Sequence, residues 1–252
     1  MTTELTRQPR RHRLLTPRGL QHIRPLRRAL ACGTIADWQP VPWGTNGTFV
    51  VLLEQDIAPD LLAIYKPARG EAPLWDFPAG TLYRREYASY LLSRLLGWSF
   101  VPPTVIRDGP YGTGTVQLYI EPDDQPLRGQ SVRPELQRIA LFDLLTNNAD
   151  RKASHLFRGK FDQRIWGIDH GLTFHVDPKL RTILWEFCGE PIPSQLLSDL
   201  ARLLRHRRSV QRLLRPFLAE NELAAFWRRC ATLLEHPIYP LLNPRRNIPF
   251  GW

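Results

Sequence analysis

Long apolar runs are missing from this 252-residue chain. No stretch approaches the roughly 20 apolar residues that a helix needs to cross a bilayer, so no integral membrane segment is expected. The arginine-rich N-terminus leads into no apolar core of the kind a secretory signal carries, so export is not expected either. Cysteine is scarce. Cys32, Cys188 and Cys230 are scattered, odd in number and lack metal-ligand spacing, and they read as buried or incidental thiols of a reducing compartment, the cytoplasm. Lysine is rarer than arginine by far: only Lys66, Lys152, Lys160 and Lys179 occur. Internal repeats and low-complexity segments are absent.

What the chain does have is an apolar fraction of 43% with 8 Trp and 11 Phe, enough for a globular core. Its length suits one large domain or two lobes with a cleft between them. The formal charge is +10, which directs attention to anionic partners: nucleotide, nucleic acid or lipid head groups. The charge falls in two groups, Arg7 to Arg28 and Arg202 to Arg215, which read as a solvated basic arm and a solvated helix face. The arm has no amphipathic pattern, although an anionic surface could attract it. No nucleic-acid motif accompanies the arginines, so nucleic acid ranks last among the partners.

Residues 1–25 carry prolines and arginines without a sustained period and are expected to form a flexible basic arm. Leu26 to Ile35 suits a short helix ending near Gly33. Pro42 to Thr48, with Gly44, Thr45, Asn46 and Gly47 at its centre, is a small-residue turn entering the β-branched run Phe49 to Leu53. That pattern reads as a hairpin corner whose backbone N–H groups could face phosphate oxygens. Leu61 to Lys66 suits a strand, with Leu62, Ile64 and Lys66 on one face. A proline- and aromatic-rich loop follows, then a helix from Thr81 to Leu96 that repeats Tyr87, Tyr90, Leu91 and Leu95 and stops at Gly97. Thr81 is its N-cap candidate. Glu86 lies on the edge of that stripe and becomes a partner for Lys66 if the strand faces the helix. Val101 to Ile106 and Gly114 to Ile120 flank Asp108-Gly109-Pro110 as an antiparallel pair. The polar stretch after Ile120 and Glu121 marks a lobe boundary, dividing 26–121 from 122–252.

The second half is helical, with Pro134 to Leu145 turning Leu136, Ile139, Ala140 and Leu144 inward, and further helices from Pro193 onward. Between them lie two carboxylates in special settings. Asp150 sits in the polar loop Asn147 to His155 after an apolar helix, and Asp169 ends the strand Arg164 to Ile168 beside Gly171. Phosphoryl transfer needs such a pair, one to meet the acceptor hydroxyl and one to hold a metal on the ATP phosphates. Each alone has a plainer reading: Asp150 as the ion-pair partner of Arg151, Asp169 as a turn residue.

Tyr65-Lys66-Pro67, Gly70-Glu71, Pro73 to Pro78, Arg85-Glu86, Val101 to Val105, Asn147 to Lys152 and Gly167 to Gly171 occur in kinase order. Over Leu30 to Pro191 the chain resembles the phosphatidylinositol 3- and 4-kinase-like branch of the kinase superfamily, which includes the HipA-type kinases. It is most similar to an uncharacterised bacterial family within it. The resemblance implies an α+β, two-lobed protein-kinase-like fold: an antiparallel-sheet N-lobe, a mainly helical C-lobe and an ATP cleft between. It also implies roles. Lys66 would pair the nucleotide phosphates and Glu86 would position it. Gly44 to Thr48 would cover the phosphates, and Ile120 and Glu121 would meet adenine. Asp150 would be the catalytic aspartate, with Lys152 neutralising phosphate charge, and Asp169 would bind Mg²⁺. His155 stands where the superfamily places a metal-binding asparagine, and imidazole suits Mn²⁺ better than Mg²⁺. The function implied is γ-phosphate transfer from ATP to a hydroxyl of an unidentified protein, lipid or small molecule. The alternatives are a nucleotide-binding pseudokinase and an AMP transferase on the same fold.

Overall fold

The computed structural model describes residues 23–42, 45–54 and 61–250. The expected arm up to position 22, together with Gly44, lies outside the described residues. Helix α1 (Ile23–Cys32) buries Leu26, Ala29 and Leu30, an i, i+3, i+4 stripe, and leaves Arg24, Arg27 and Arg28 in solvent.

Five antiparallel strands form one sheet in the order β1-β2-β3-β5-β4: β1 (Thr34–Pro40), β2 (Phe49–Glu54), β3 (Leu61–Pro67), β4 (Thr104–Gly109) and β5 (Gly112–Leu118). The edge strand β1 has no counterpart in the sequence reading. Its residues are almost all exposed and it is held by backbone pairing to β2, so no apolar alternation announces it. On β3 the residues alternate as expected. Leu61, Ala63 and Tyr65 enter the core shared with α1, while Leu62, Ile64 and Lys66 form the opposite, half-buried face.

Helix α2 (Leu82–Leu96) ends at Gly97, whose φ of 80° needs a residue without a side chain. Its buried face differs from the expected stripe. Of Tyr87, Tyr90, Leu91 and Leu95 only Tyr90 is fully buried, and Arg85, Glu86, Ser89 and Ser93 go inside with it. Polar residues can occupy this face because each side chain finds at least one partner. Arg85 donates to Thr173 O at 2.8 Å and pairs with Glu222, and Ser89 bonds Thr173 at 3.2 Å. Ser93 accepts the Phe100 N–H at 3.2 Å.

The second half comprises α3 (Arg133–Thr146), the hairpin β6 (Leu156–Arg158) and β7 (Ile165–Gly167), then α4 (Ser194–Arg205), α5 (Arg207–Leu214) and α6 (Glu220–Glu235). Its core joins Leu141 and Phe142 of α3 to Leu200 of α4 and Leu223 and Phe226 of α6. That core extends to Leu92 and Leu96 of α2. On α3 the inward residues include Asp143, fully buried, while Leu144 is only half-buried. The second arginine group is largely the solvated face foreseen: Arg205, Arg207, Arg208, Arg212 and Arg215 are exposed. Among the described residues no helix is long and apolar enough to cross a membrane. The fold is α+β and two-lobed, a strand-rich half on a helical half.

Candidate active site

The loop carrying Asp150 is built from α3 outward. Asn147 ends the helix in a left-handed turn (φ 53°), which asparagine tolerates better than most residues. Its side-chain amide donates to the carbonyls of His175 and Asp177 at 3.0 and 2.7 Å. Asn148 Oδ1 accepts the Asp150 N–H at 3.0 Å, while Asn148 Nδ2 donates to Asp143 Oδ1 at 2.9 Å. Arg151 turns inward, contrary to the simple pairing with Asp150. Its guanidinium and the Asp143 carboxylate, both with 0% side-chain exposure, form a two-pronged pair with N–O distances of 2.9 Å. A buried guanidinium requires a carboxylate at hand, and Asp143 supplies it. Arg151 also donates to Ile168 O at 3.0 Å and meets His170 Nε2 at 2.7 Å, tying this loop to the one that holds Asp169. Asp150 is left facing outward with Lys152 Nζ 3.1 Å from its Oδ2. Burial pushes the Asp150 carboxyl above its usual range, against the pull of Lys152.

Strand β7 delivers Asp169, whose φ of 60° is a left-handed conformation held by its surroundings. Lys66 Nζ, from β3, lies 3.0 Å from Asp169 Oδ1 and 3.3 Å from Glu86 Oε2. The same Glu86 oxygen accepts the His170 N–H at 3.0 Å, and Glu86 Oε1 is buried with no partner among the described residues. Burial would lower the Lys66 pKa, but Asp169 and Glu86 outweigh it and hold the ammonium above its ordinary range. Lys66, with His155 assisting, holds Asp169 well below the usual carboxylate range. His155 Nε2 stands 3.3 Å from Asp169 Oδ2. Burial lowers the His155 pKa to about 4 despite that carboxylate, so the imidazole is neutral at pH 7. Its Nδ1 accepts the Lys152 N–H at 3.4 Å, which places the ring proton on Nε2, toward Asp169.

The described part of the turn before β2 is stitched down. Gly47 N–H donates to Gly70 O at 2.7 Å, and Asn46 Oδ1 accepts the Ala72 N–H at 2.8 Å. A Cβ at Gly70 would lie 2.7 Å from Gly47 O, so the approach needs glycine there. Between these contacts Glu71 reaches the start of α2 and accepts the N–H groups of Leu82 and Tyr83 at 3.1 and 2.8 Å. That carboxylate caps the helix. The expected cap, Thr81, instead donates its hydroxyl to Pro78 O at 2.6 Å. At the lobe connection the Glu121 carbonyl accepts the Lys160 N–H at 2.9 Å and its side chain pairs with Lys160. The neighbouring Tyr119 N–H donates to Leu62 O at 3.1 Å, fixing the connection beside Ile120 to β3.

Lys66, Glu86, Asp169 and His155 therefore form one connected cluster, with the Asp150–Lys152 pair beside it. Thr45, Asn46, Gly47, Ile120 and Glu121 make no side-chain hydrogen bond to that cluster among the described residues. The roles of Asp143 and Glu71 were not foreseen. Asp143 had a signal, an acidic residue on the inward stripe of α3. Glu71 stood among the ordered motifs, but nothing pointed to its capping role, because the helix it caps begins 11 residues later.

Among the described residues no three His, Cys, Asp or Glu side chains converge on one point. Asp169, with a half-exposed carboxylate, offers one oxygen, and the neutral His155 offers Nε2 once its ring proton moves to Nδ1 and the long bond from the Lys152 N–H is given up. That pair fits a divalent ion whose other positions are filled by phosphate oxygens and water, and the nitrogen favours Mn²⁺ over Mg²⁺.

The fold is similar to that of solved kinase structures. The Golgi casein kinase with Mn/ADP bound is similar at a TM-score of 0.60 and 18% identity, covering 89% of this chain and 80% of that one. The structure of hydra Fam20 with sugar gives 0.60 and 17%, covering 85% and 88%. The Helicobacter pylori proinflammatory kinase CtkA gives 0.53 and 12%, covering 83% and 94%. The chain matches no family profile. It is 38% identical over 261 residues to Protein Rv2133c of Mycobacterium tuberculosis, covering 88% of this chain and 93% of that protein. The chain belongs to the family of that protein.

Proposed function

We propose that this protein is a cytoplasmic, ATP-dependent phosphotransferase that moves the γ-phosphate to a hydroxyl of an acceptor. The observation that carries the reading is Lys66, whose ammonium stands between Glu86 and Asp169 although the three come from β3, α2 and the loop after β7. The neighbours in fold support it, and one of them is a kinase with Mn/ADP bound. The order of motifs further supports a place beside the phosphatidylinositol 3-/4-kinase-like and HipA-type enzymes.

The chain's own residues divide the work. Lys66, steadied by Glu86, pairs the α- and β-phosphates, and Thr45, Asn46 and Gly47 shield them. Gly47 does so by shape, since its N–H is already used. Ile120 and Glu121 border the adenine, and because the Glu121 carbonyl is taken by Lys160, Ile120 supplies the open backbone acceptor. A metal held by Asp169 and His155 would neutralise charge on the phosphate oxygens. Asp150 orients the acceptor hydroxyl and takes its proton as the acceptor oxygen bonds to the γ-phosphorus and the bond to the β-phosphate oxygen breaks. Lys152 screens the negative charge as it shifts.

The test is ADP formation from ATP in Mn²⁺ buffer, with mass spectrometry of any modified acceptor. Asp150→Asn should lower turnover at least ~10²-fold and leave nucleotide binding in place. Undiminished turnover would sink the assignment, and an adduct of adenylate mass would mark nucleotide transfer instead.

A further inference from the structure

Beside Asp150 lies a strip that this division of labour leaves unused. The segment 179–182 runs along the catalytic loop: Arg181 N–H donates to Asn148 O at 2.9 Å and Arg151 N–H to Arg181 O at 3.0 Å. Its other edge is taken by the C-terminal turn. Thr182 N–H donates to Asn247 O at 3.0 Å, and Asn247 Nδ2 donates to Leu180 O at 2.6 Å. This short, irregular tail is thereby brought one strand-width from the loop that presents Asp150.

The charges along the strip do not cancel. Lys152 is matched by Asp150 at 3.1 Å, and Lys179 by Asp76 at 2.8 Å. Arg181, Arg245 and Arg246 have no carboxylate in salt-bridge reach among the described residues. Arg181 is the one built into the site. Its guanidinium points to the Ala149 carbonyl at 3.5 Å, next to Asp150, and lies 4.9 Å over the Phe250 ring. It acts on the Asp150 carboxyl, pulling its pKa down against the effect of burial. Two aromatic rings flank the strip in full view of solvent. Phe250 is 73% exposed, and Trp75, 92% exposed, sits 4.7 Å from the Lys179 ammonium. An exposed ring over an unmatched guanidinium, as Phe250 is over Arg181, suits an anion with a less polar body.

We propose that this strip, centred on Arg181, is the acceptor-side anion site: the molecule that presents its hydroxyl to Asp150 carries its own phosphate or carboxylate, which docks on Arg181. The inference rests on the phosphotransferase reading and names the class of its acceptor. Guanidinium is suited to such oxyanions because its N–H groups match their paired oxygens. Arg245 and Arg246 add attraction at longer range. An uncharged acceptor would leave Arg181 unmatched next to the reacting hydroxyl.

The test uses the full chain saturated with ADP and Mn²⁺, titrated with inorganic phosphate while the melting temperature is followed. A further saturable rise of about 3 °C at ten times Kd is expected in the wild type. Arg181→Gln should weaken phosphate about tenfold or more, and Arg181→Lys should restore part of it, with the ADP–Mn²⁺ shift kept in both. Absence of a phosphate shift in the wild type overturns the inference while leaving the nucleotide reading standing. A shift that survives Arg181→Gln places the phosphate at the γ position and overturns it too. Absence of any ADP–Mn²⁺ shift overturns the nucleotide reading and the inference with it. A second arm separates sources of the anion. Sedimentation with phosphatidylglycerol vesicles, lost in Arg181→Gln, assigns a lipid head group, whereas a phosphate shift without sedimentation assigns a soluble molecule.

Discussion

Replacing Asp143 by alanine should be among the most damaging single changes in the chain, although Asp143 touches no substrate. The substitution strips a fully buried guanidinium of the carboxylate paired with it and leaves the Asn148 amide without its acceptor. Breaking a buried pair from one side costs about 3–5 kcal/mol. At about 2–4 °C per kcal/mol for a chain of this size, the melting temperature should fall by roughly 6–20 °C. The double variant Asp143→Ala/Arg151→Met removes more atoms and forfeits the bonds from Arg151 to Ile168 and His170. It also removes the stranded charge, so the two losses should not add. A double-mutant cycle by thermal and urea denaturation should return a coupling of about 1–3 kcal/mol. Strictly additive losses, or a single variant that melts within 2 °C of the wild type, would refute the view that this pair anchors the loop carrying Asp150.

Other consequences follow from the same geometry. Glu71→Ala removes the carboxylate that caps α2 and should cost about 1 kcal/mol. Because α2 carries Glu86 one turn further on, ATP affinity should drop with it. Glu71→Asp, which keeps a shorter carboxylate, should recover part of both, and an unaltered ATP titration would count against the link. The contact between Lys66 and Asp169 has a defined pH window. Asp169 is depressed below its ordinary 3.8, so its contribution is present above that value and lost as pH falls through the folded-state pKa. Lys66 is raised above its ordinary 10.5, so its contribution is present below that value and lost as pH rises beyond it. The coupling measured between Lys66→Met and Asp169→Asn should therefore stay level between about pH 5 and 9. A coupling that fades near neutrality would show that the two groups are not paired as described.

How much of this could be read from the residues differs from place to place. Gly47 of the turn, the strand carrying Lys66 and the left-handed stop at Gly97 depend on local chemistry, and they appear where the sequence puts them. Lys66, Glu86 and Asp169 were legible as a set through the order of motifs, and the fold brings their side chains together. The inward face of α2 was not legible. Periodicity rewards apolar residues, whereas the fold buries Arg85, Ser89 and Ser93 because Thr173, Glu222 and the Phe100 N–H await them from distant parts of the chain. Strand β1 was hidden for the opposite reason, since an exposed edge needs no apolar pattern. The partner of Arg151 was hidden as well: adjacency favours Asp150, but burial selects Asp143, eight residues back.

The most direct test of the central claim is the melting temperature with and without ATP, in separate Mg²⁺ and Mn²⁺ buffers, for the wild type and Lys66→Met. Near a hundred times Kd, nucleotide should stabilise the wild type by about 2.7 kcal/mol, a shift of roughly 5–10 °C. The account predicts that this shift requires metal, is larger with Mn²⁺ and largely disappears in Lys66→Met. A wild-type protein whose melting temperature does not move with ATP in either metal would contradict it.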